Sequence, residues 1–252
     1  MLWYKSWLET RWRFVIGLAL LMFSSAGIVL AYPLLMKLVS TANTLDTSGP
    51  LGERIREGVE LARDYRGYVW GQWVRQNLTQ MGTLFAAMLG SGGPFAHGSD
   101  LFTLSLPASR NRLLGIRSAS GLAELAVLAI ASMLVIPLMS PAVGHTYSVG
   151  DALGHGACFF VASAAFFSLA VLLSTSFSDI WRPLLITCAV AVVLSICGQV
   201  VSSYAPYSIF RVMNGEVFFR TGQLPWVGLL VSAAASAAML YGAALNIARR
   251  DF

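Results

Sequence analysis

Long apolar runs separated by short polar segments constrain this chain more than any other feature of its sequence. Hydrophobic residues make up 56% of the 252 residues, and charged residues only 12%. Soluble domains carry roughly 25% charged residues, whereas an apolar run of about 20 residues can cross a bilayer as a helix. The sequence therefore predicts an all-α, polytopic membrane protein.

Six runs have the length and apolarity that a membrane-spanning helix requires. Their expected ranges are 14–39, 70–90, 118–139, 153–175, 183–201 and 226–247. Short segments rich in Lys and Arg stay on the cytoplasmic side of a membrane. Applied to the Arg-rich segments here, this rule places both termini in the cytoplasm. The membrane is expected to be a bacterial-type inner (plasma) membrane. The net charge of +5 is then a matter of topology and does not indicate nucleic-acid binding.

Four segments are expected outside the spans. Residues 1–13 should form an interfacial helix with tryptophans on one face, on the inner surface of the membrane. Residues 40–69 are expected to form an extracytoplasmic loop that contains an amphipathic helix, and residues 202–224 a second extracytoplasmic segment. The cytoplasmic segment 95–117 joins the second span to the third.

A short amphipathic helix is expected within 95–117. Ser99 or Asp100 can cap its start, and Pro107 ends it. Its apolar face consists of three residues at helical spacing, Leu101, Phe102 and Leu106. Arginines follow it at positions 110, 112 and 117. We expect this helix at the cytoplasmic surface, where a partner can dock on it.

The same segment resembles the permease subunits of ABC-2 type transporters. The residues that carry the resemblance are Gly98, the run Leu101–Leu106, Leu-Pro-x-Ser-Arg at Leu106–Arg110, the basic Arg117, and Trp3-x-Lys5-x-x-x-Glu9-x-Arg11-x-x-Phe14 near the N-terminus. The resemblance implies a coupling helix that contacts a separate ATPase subunit. The contact residues it implies are Ser99, Asp100, Leu101, Phe102, Leu106, Pro107, Ser109, Arg110 and Arg112. It also implies two copies of the ATPase subunit, which bind ATP and Mg, and a second permease subunit, either another copy of this chain or a homologous permease. Short helices within 202–224 should cap the pathway from outside.

The expected second span carries a polar stripe opposite its apolar one. The polar residues are Gln72, Gln76, Thr79, Gln80 and Thr83. Unpaired polar groups are costly in lipid, so this face must contact protein or water. Two explanations of the polar stripe stay open: its side chains form hydrogen bonds to a neighbouring helix, or they line the wall of a transport pathway.

Glu124 is the acidic residue expected inside the third span. A charged group at that depth costs about 2.5–3.5 kcal/mol on insertion scales, so it should be paired or protonated. Arg117 and Arg182 are its candidate partners in a cytoplasmic gate, and a proton or substrate site is the alternative.

No catalytic or metal site is expected. The chain has no G-x-x-x-x-G-K-[ST] motif, so it should not bind ATP itself and should need no cofactor. His145, Asp151 and His155 lie near one loop without the spacing of a ligand set. The function that the resemblance implies is an exporter permease, which forms the translocation pathway as a dimer and is driven by a separate ATPase. The alternatives are a sensor or scaffold subunit that pairs with an ATPase, and an intramembrane enzyme.

Overall fold

The structure, a computed structural model, describes residues 2–42, 59–92, 110–177, 179–200 and 207–249. Secondary structure within these ranges is helical throughout, which confirms the expected all-α fold. The segments 43–58 and 93–109 fall outside them, so most of the expected 40–69 loop and of the coupling segment lie outside the described residues. The elements are α1 (Leu2–Ala42), α2 (65–90), α3 (Arg110–Met139), α4 (Val149–Ser174), α5 (Trp181–Val200), α6 (Ile209–Met213), α7 (Glu216–Thr221) and α8 (Trp226–Arg249).

Helix α2 is a composite of three consecutive pieces. Tyr65–Tyr68 and Thr79–Gly90 are α-helical, and Val69–Leu78 between them is π-helical. Asp64 caps its start, where the carboxylate accepts a hydrogen bond from the backbone N–H of Gly67. The helix therefore begins five residues before the expected span, inside the segment expected as a loop.

Within the described ranges, five helices are long and apolar enough to cross a membrane. They are α1, α3, α4, α5 and α8, with the apolar stretches Ser6–Lys37, Asn111–Val143, Val149–Ser174, Trp181–Val200 and Trp226–Arg249. The expected sixth span, 70–90, is helical over its whole length but is not one of these five. Its π-helical part carries Gln72, Arg75 and Gln76, which lower its apolarity.

The expected interfacial helix and first span form one unbroken helix. Helix α1 has 41 residues, and no Gly or Pro interrupts it before Gly17. At 1.5 Å per residue it is roughly 60 Å long, about twice the ~30 Å hydrocarbon core of a bilayer. A separate helix over 1–13 is thus corrected to an extension of α1.

The centre of the molecule is α4. Two thirds of its most apolar stretch is buried, compared with 17–44% in the other four apolar helices. It packs against α2, α3, α5, α6 and α8, whereas α1 packs mainly against α3. Close approach depends on glycine, because Gly82 of α2 faces the ring of Phe159, and Gly121 of α3 faces the ring of Phe167.

The six long helices alternate in direction between two ends of the bundle. The N-terminal end is defined by contacts of Arg13 with Ser91 and of Glu9 with Arg117. At the opposite end Tyr65 of α2 contacts Ser140, which follows α3. Helix α2 therefore extends between the same two ends as the five apolar helices.

The sides of the bundle are apolar. Large hydrophobic side chains are exposed along α1, α5 and α8, including Phe23, Leu34, Leu185, Val193 and Val231. Soluble monomers rarely expose contiguous apolar surface of this extent. This surface and the five apolar helices together indicate a membrane protein.

Candidate functional site: a polar cleft beside α2

An open cleft of about 1000 Å³ lies between α2 and α5, with α6 and the start of α7 at one end. Exposed side chains of Leu84, Val192 and Ile196 form part of its wall, so the cleft opens on the side of the bundle. A smaller cleft of about 300 Å³ adjoins it along α2 and shares Arg75 and Gln80 with it. Sites for small molecules usually have volumes of about 300–1000 Å³, so the larger cleft is at the upper limit of that range.

All five residues of the expected polar stripe line these two clefts. Gln72 and Gln76 line the smaller one, Thr79 and Thr83 the larger one, and Gln80 both. The three glutamines are exposed, whereas the two threonines are buried. The Thr79 hydroxyl donates to the carbonyl of Val74 at 2.8 Å, and that of Thr83 to the carbonyl of Thr79 at 2.6 Å. The threonine hydroxyls are thus hydrogen-bonded to backbone carbonyls of α2 itself, whereas the glutamines expose their side-chain amides to the clefts.

The π-helical part of α2 is fixed by the turn between α6 and α7. The indole N–H of Trp70 donates to the carbonyl of Asn214 at 2.9 Å, and its ring stacks on Phe219 at 4.5 Å. Gly215, in the same turn, has φ of +60°, and a Cβ there would lie 2.7 Å from Nδ1 of His155. π-Helical turns are rare in proteins, and many of them occur at functional sites. Gln72 and Gln76 belong to this π-helical part, and Gln80 to the α-helical part that follows.

One end of the larger cleft is charged. Arg211 donates two hydrogen bonds to the carboxylate of Glu216, at 2.7 and 2.8 Å, and Arg220 contacts the same carboxylate at 3.1 Å. Arg75 lies over the ring of Trp70 at 5.7 Å. Among the described residues, Arg75, Arg211 and Glu216 line this end, so its lining carries one net positive charge, and Arg220 lies outside the lining on the same carboxylate.

The same contacts set the pKa of Glu216. Its burial raises the pKa, but the hydrogen bonds from Arg211 and the charges of Arg211, Arg220 and Arg75 outweigh burial and hold the pKa of Glu216 below its ordinary value. The hydrogen bonds to Glu216 in turn raise the pKa of Arg211. Both groups are therefore charged at neutral pH.

The deeper end of the larger cleft is apolar. Helices α2 and α5 run in opposite directions, so Leu84 lies beside the first half of α5. Cys188, Ala191 and Val192 form the facing wall. The cleft thus changes along its length from charged and polar side chains to small and aliphatic ones.

The expected gate residues have partners other than those expected. Arg117 forms its ion pair with Glu9 of α1 at 3.0 Å, and Arg182 forms its ion pair with Asp179, three residues earlier, at 3.0 Å. Oε1 of Glu124 accepts a hydrogen bond from the Thr10 hydroxyl at 2.5 Å. Among the described residues neither arginine lies within ion-pair distance of Glu124, and α1 supplies the hydrogen-bond partners of both Glu124 and Arg117. Arg117 and Glu124 still interact through their charges.

Arg13, also in α1, was not singled out as a site residue from the sequence. Its Nη1 donates to the carbonyls of Met88 and Ser91, at 3.2 and 2.8 Å. It thereby supplies a hydrogen-bond donor to the end of α2, where backbone carbonyls lack partners within the helix. The signal in the sequence is an arginine at the start of an apolar run, which the positive-inside rule explains without a specific partner. The Arg211–Glu216 pair was missed because opposite charges five residues apart predict no specific helix contact.

Most of the expected ATPase contact lies outside the described residues. This holds for Ser99, Asp100, Leu101, Phe102, Leu106, Pro107 and Ser109. Arg110 is the first residue of α3, and Arg112 is exposed in its first turn. In the described ranges, no group of three His, Cys, Asp or Glu side chains is placed to hold a metal ion.

The fold and the cleft together define the class of this protein, an all-helical membrane protein with a polar cleft between apolar helices. A scan against protein-family models finds no match, and searches of curated proteins and solved structures find none.

Proposed function

We propose that this chain is the permease subunit of an ATP-binding-cassette transporter, an exporter that forms the translocation pathway as a dimer. The observation that supports the pathway is the exposed glutamine face of α2, which borders a cleft between apolar helices. Exposed amides are costly in lipid and suit a water-lined passage. The proposal takes α2 as the sixth crossing helix, because it extends between the same ends of the bundle as the other five.

The N-terminal end is the cytoplasmic side in this proposal. Arg112 at the start of α3 and Arg249 at the end of α8 lie there, as the positive-inside rule expects. The resemblance of Gly98 through Arg110 to ABC-2 permeases supports a coupling helix between α2 and α3. A separate ATPase that binds ATP and Mg drives transport, since the sequence carries no P-loop motif.

Helix α1 provides the mechanical link in this mechanism. It contacts the end of α2 through Arg13 and the start of α3 through the Glu9–Arg117 ion pair. These contacts flank the two ends of the segment 93–109. A push from the ATPase on that segment moves α2 and α3 relative to α1. The cleft beside α2 then switches between two states, whose different substrate affinities set the direction of transport.

Purification of the tagged chain from its native membrane in mild detergent tests the proposal. We expect an ATPase chain with a P-loop to co-purify, and we expect the double variant Leu101→Asp, Phe102→Asp to abolish this association. Thr146→Asp, at an exposed position of the opposite end, is the control. Association that is unchanged in the double variant, or ATP hydrolysis by the purified chain alone, contradicts the proposal. Transport by the reconstituted complex separates a permease from a sensor or scaffold subunit.

A further inference from the structure

We infer that the cleft between α2 and α5 binds an anionic amphiphile, a molecule with a phosphate-type headgroup and an aliphatic chain. The inference rests on the proposed function, since it takes this cleft as the place where the transported molecule binds. Two observations carry it: the positive charge at one end of the cleft and the aliphatic wall at the other.

The charged end suits an anion. Glu216 is already shared by Arg211 and Arg220, so it neutralises only one of them. Among the described residues no carboxylate lies within ion-pair distance of Arg75, which is exposed and lines both clefts. Guanidinium groups bind phosphate oxygens through paired hydrogen bonds, and the exposed guanidinium of Arg75, which lies over the Trp70 ring, can make them.

The deep end suits an aliphatic chain. Leu84 and Val192 are about half exposed there, and they face the cleft beside the smaller Cys188 and Ala191. From Gln199, at the polar end, to Cys188 the helical rise of α5 is about 16 Å. A single ligand that reaches both ends must therefore be amphipathic and elongated. Because the cleft opens on the side of the bundle, such a ligand can enter it from the membrane.

Cys188 reports on occupancy of the cleft. Cys197 lies on the same helix but does not line the cleft, and Cys158 is buried. In nanodiscs of phosphatidylcholine we expect dodecyl phosphate to slow the reaction of Cys188 with N-ethylmaleimide and to leave the rate at Cys197 unchanged. Inorganic phosphate, which lacks the chain, and dodecyl maltoside, which lacks the charge, should give little protection.

Two pairs of variants test which end of the cleft binds the phosphate group and which end binds the aliphatic chain. Arg75→Gln should raise the dodecyl phosphate concentration for half-protection about tenfold or more, as expected for a lost charge-assisted contact. Arg249→Gln, an exposed arginine at the N-terminal end, should not change it. Val192→Trp should also weaken protection, whereas Val193→Trp, equally exposed but outside the cleft wall, should not.

Each remaining outcome overturns the inference in a different way. Equal protection by dodecyl maltoside would show that the cleft does not recognise the negative charge. Equal protection by inorganic phosphate would show that the cleft does not require the aliphatic chain. A Cys188 that reacts in every condition without protection shows that none of these probes binds, and it leaves the transport proposal standing. A Cys188 that never reacts shows a cleft closed to small molecules, which contradicts the inference and leaves the permease proposal standing.

Discussion

Thr10 of α1 donates a hydrogen bond of 2.5 Å to Oε1 of Glu124 in α3, and both side chains are buried. The other carboxyl oxygen of Glu124 has no hydrogen-bond partner within the described part of the chain. Among the described residues, the Thr10 hydroxyl is therefore the one hydrogen-bond donor to this buried carboxyl.

We expect Thr10→Val to lower the free energy of unfolding by about 1–3 kcal/mol, because it leaves Oε1 without a donor. The loss should shrink in the Glu124→Leu background, with a coupling of at least about 0.5 kcal/mol in the double-mutant cycle. Thermal unfolding in detergent measures both, and Thr146→Val is the exposed control. Strictly additive effects would show that the contact contributes nothing.

Arg13 should hold the end of α2 through its guanidinium geometry. Lysine keeps the charge but lacks the planar fork that reaches the carbonyls of Met88 and Ser91 together. Arg13→Lys should therefore accelerate hydrogen exchange at the backbone amides of 88–92, while Arg11→Lys, at an exposed position, should not. Unchanged exchange in Arg13→Lys would mean that α2 ends stably without this contact.

Gly90 permits the close approach of α2 to α4. A Cβ at this position would meet the carbonyl oxygen of Phe167 and would lie 2.8 Å from Cβ of Ala170. Because the obstacle is backbone, Gly90→Ala should cost about 1–3 kcal/mol of unfolding free energy. Gly71→Ala on the same helix meets nothing within 4 Å and should be neutral or stabilising by up to about 1 kcal/mol. Equal unfolding temperatures for the two variants would contradict this packing.

Stability should fall in acid partly through Glu216. Its pKa is held below the ordinary value of 4.5 in the folded state, so its contribution is present above pH 4.5. The contribution is lost as the pH falls from 4.5 through the lower folded-state pKa, because the unfolded chain takes up the proton at a higher pH than the folded chain does. Glu216→Gln should flatten the dependence of unfolding temperature on pH in that window. An unchanged pH profile would show that Arg211 and Arg220 do not stabilise this carboxylate.

The sequence predicts the helices well, because long apolar runs have few other structures available to them. The polar stripe of α2 also lies where helical periodicity predicts it, on one side and facing the clefts. The π-helical stretch could not be predicted, since no residue pattern distinguishes it from an α-helix. Nor could the helix continuity across residue 13, because an aromatic, charged segment fits an interfacial helix as well as an extended α1.

The partners of Glu124 and Arg117 show the limit of periodicity. The two residues lie seven apart and share a face of α3, which made an ion pair between them a reasonable expectation. The register of α1 against α3 instead places Thr10 opposite Glu124 and Glu9 opposite Arg117. That register depends on how two apolar surfaces interlock, and single-helix patterns carry no information about it.

The most direct test of the central claim is the water accessibility of α2 in the intact membrane. Single cysteines at Gln72, Gln76 and Gln80, in a chain without its native cysteines, are treated with a membrane-impermeant thiosulfonate reagent. Val127 and Leu134, exposed on the apolar face of α3, are the controls. The account predicts that the three α2 positions react and the two α3 positions do not. Unreactive cysteines at all five positions would contradict a polar pathway beside α2.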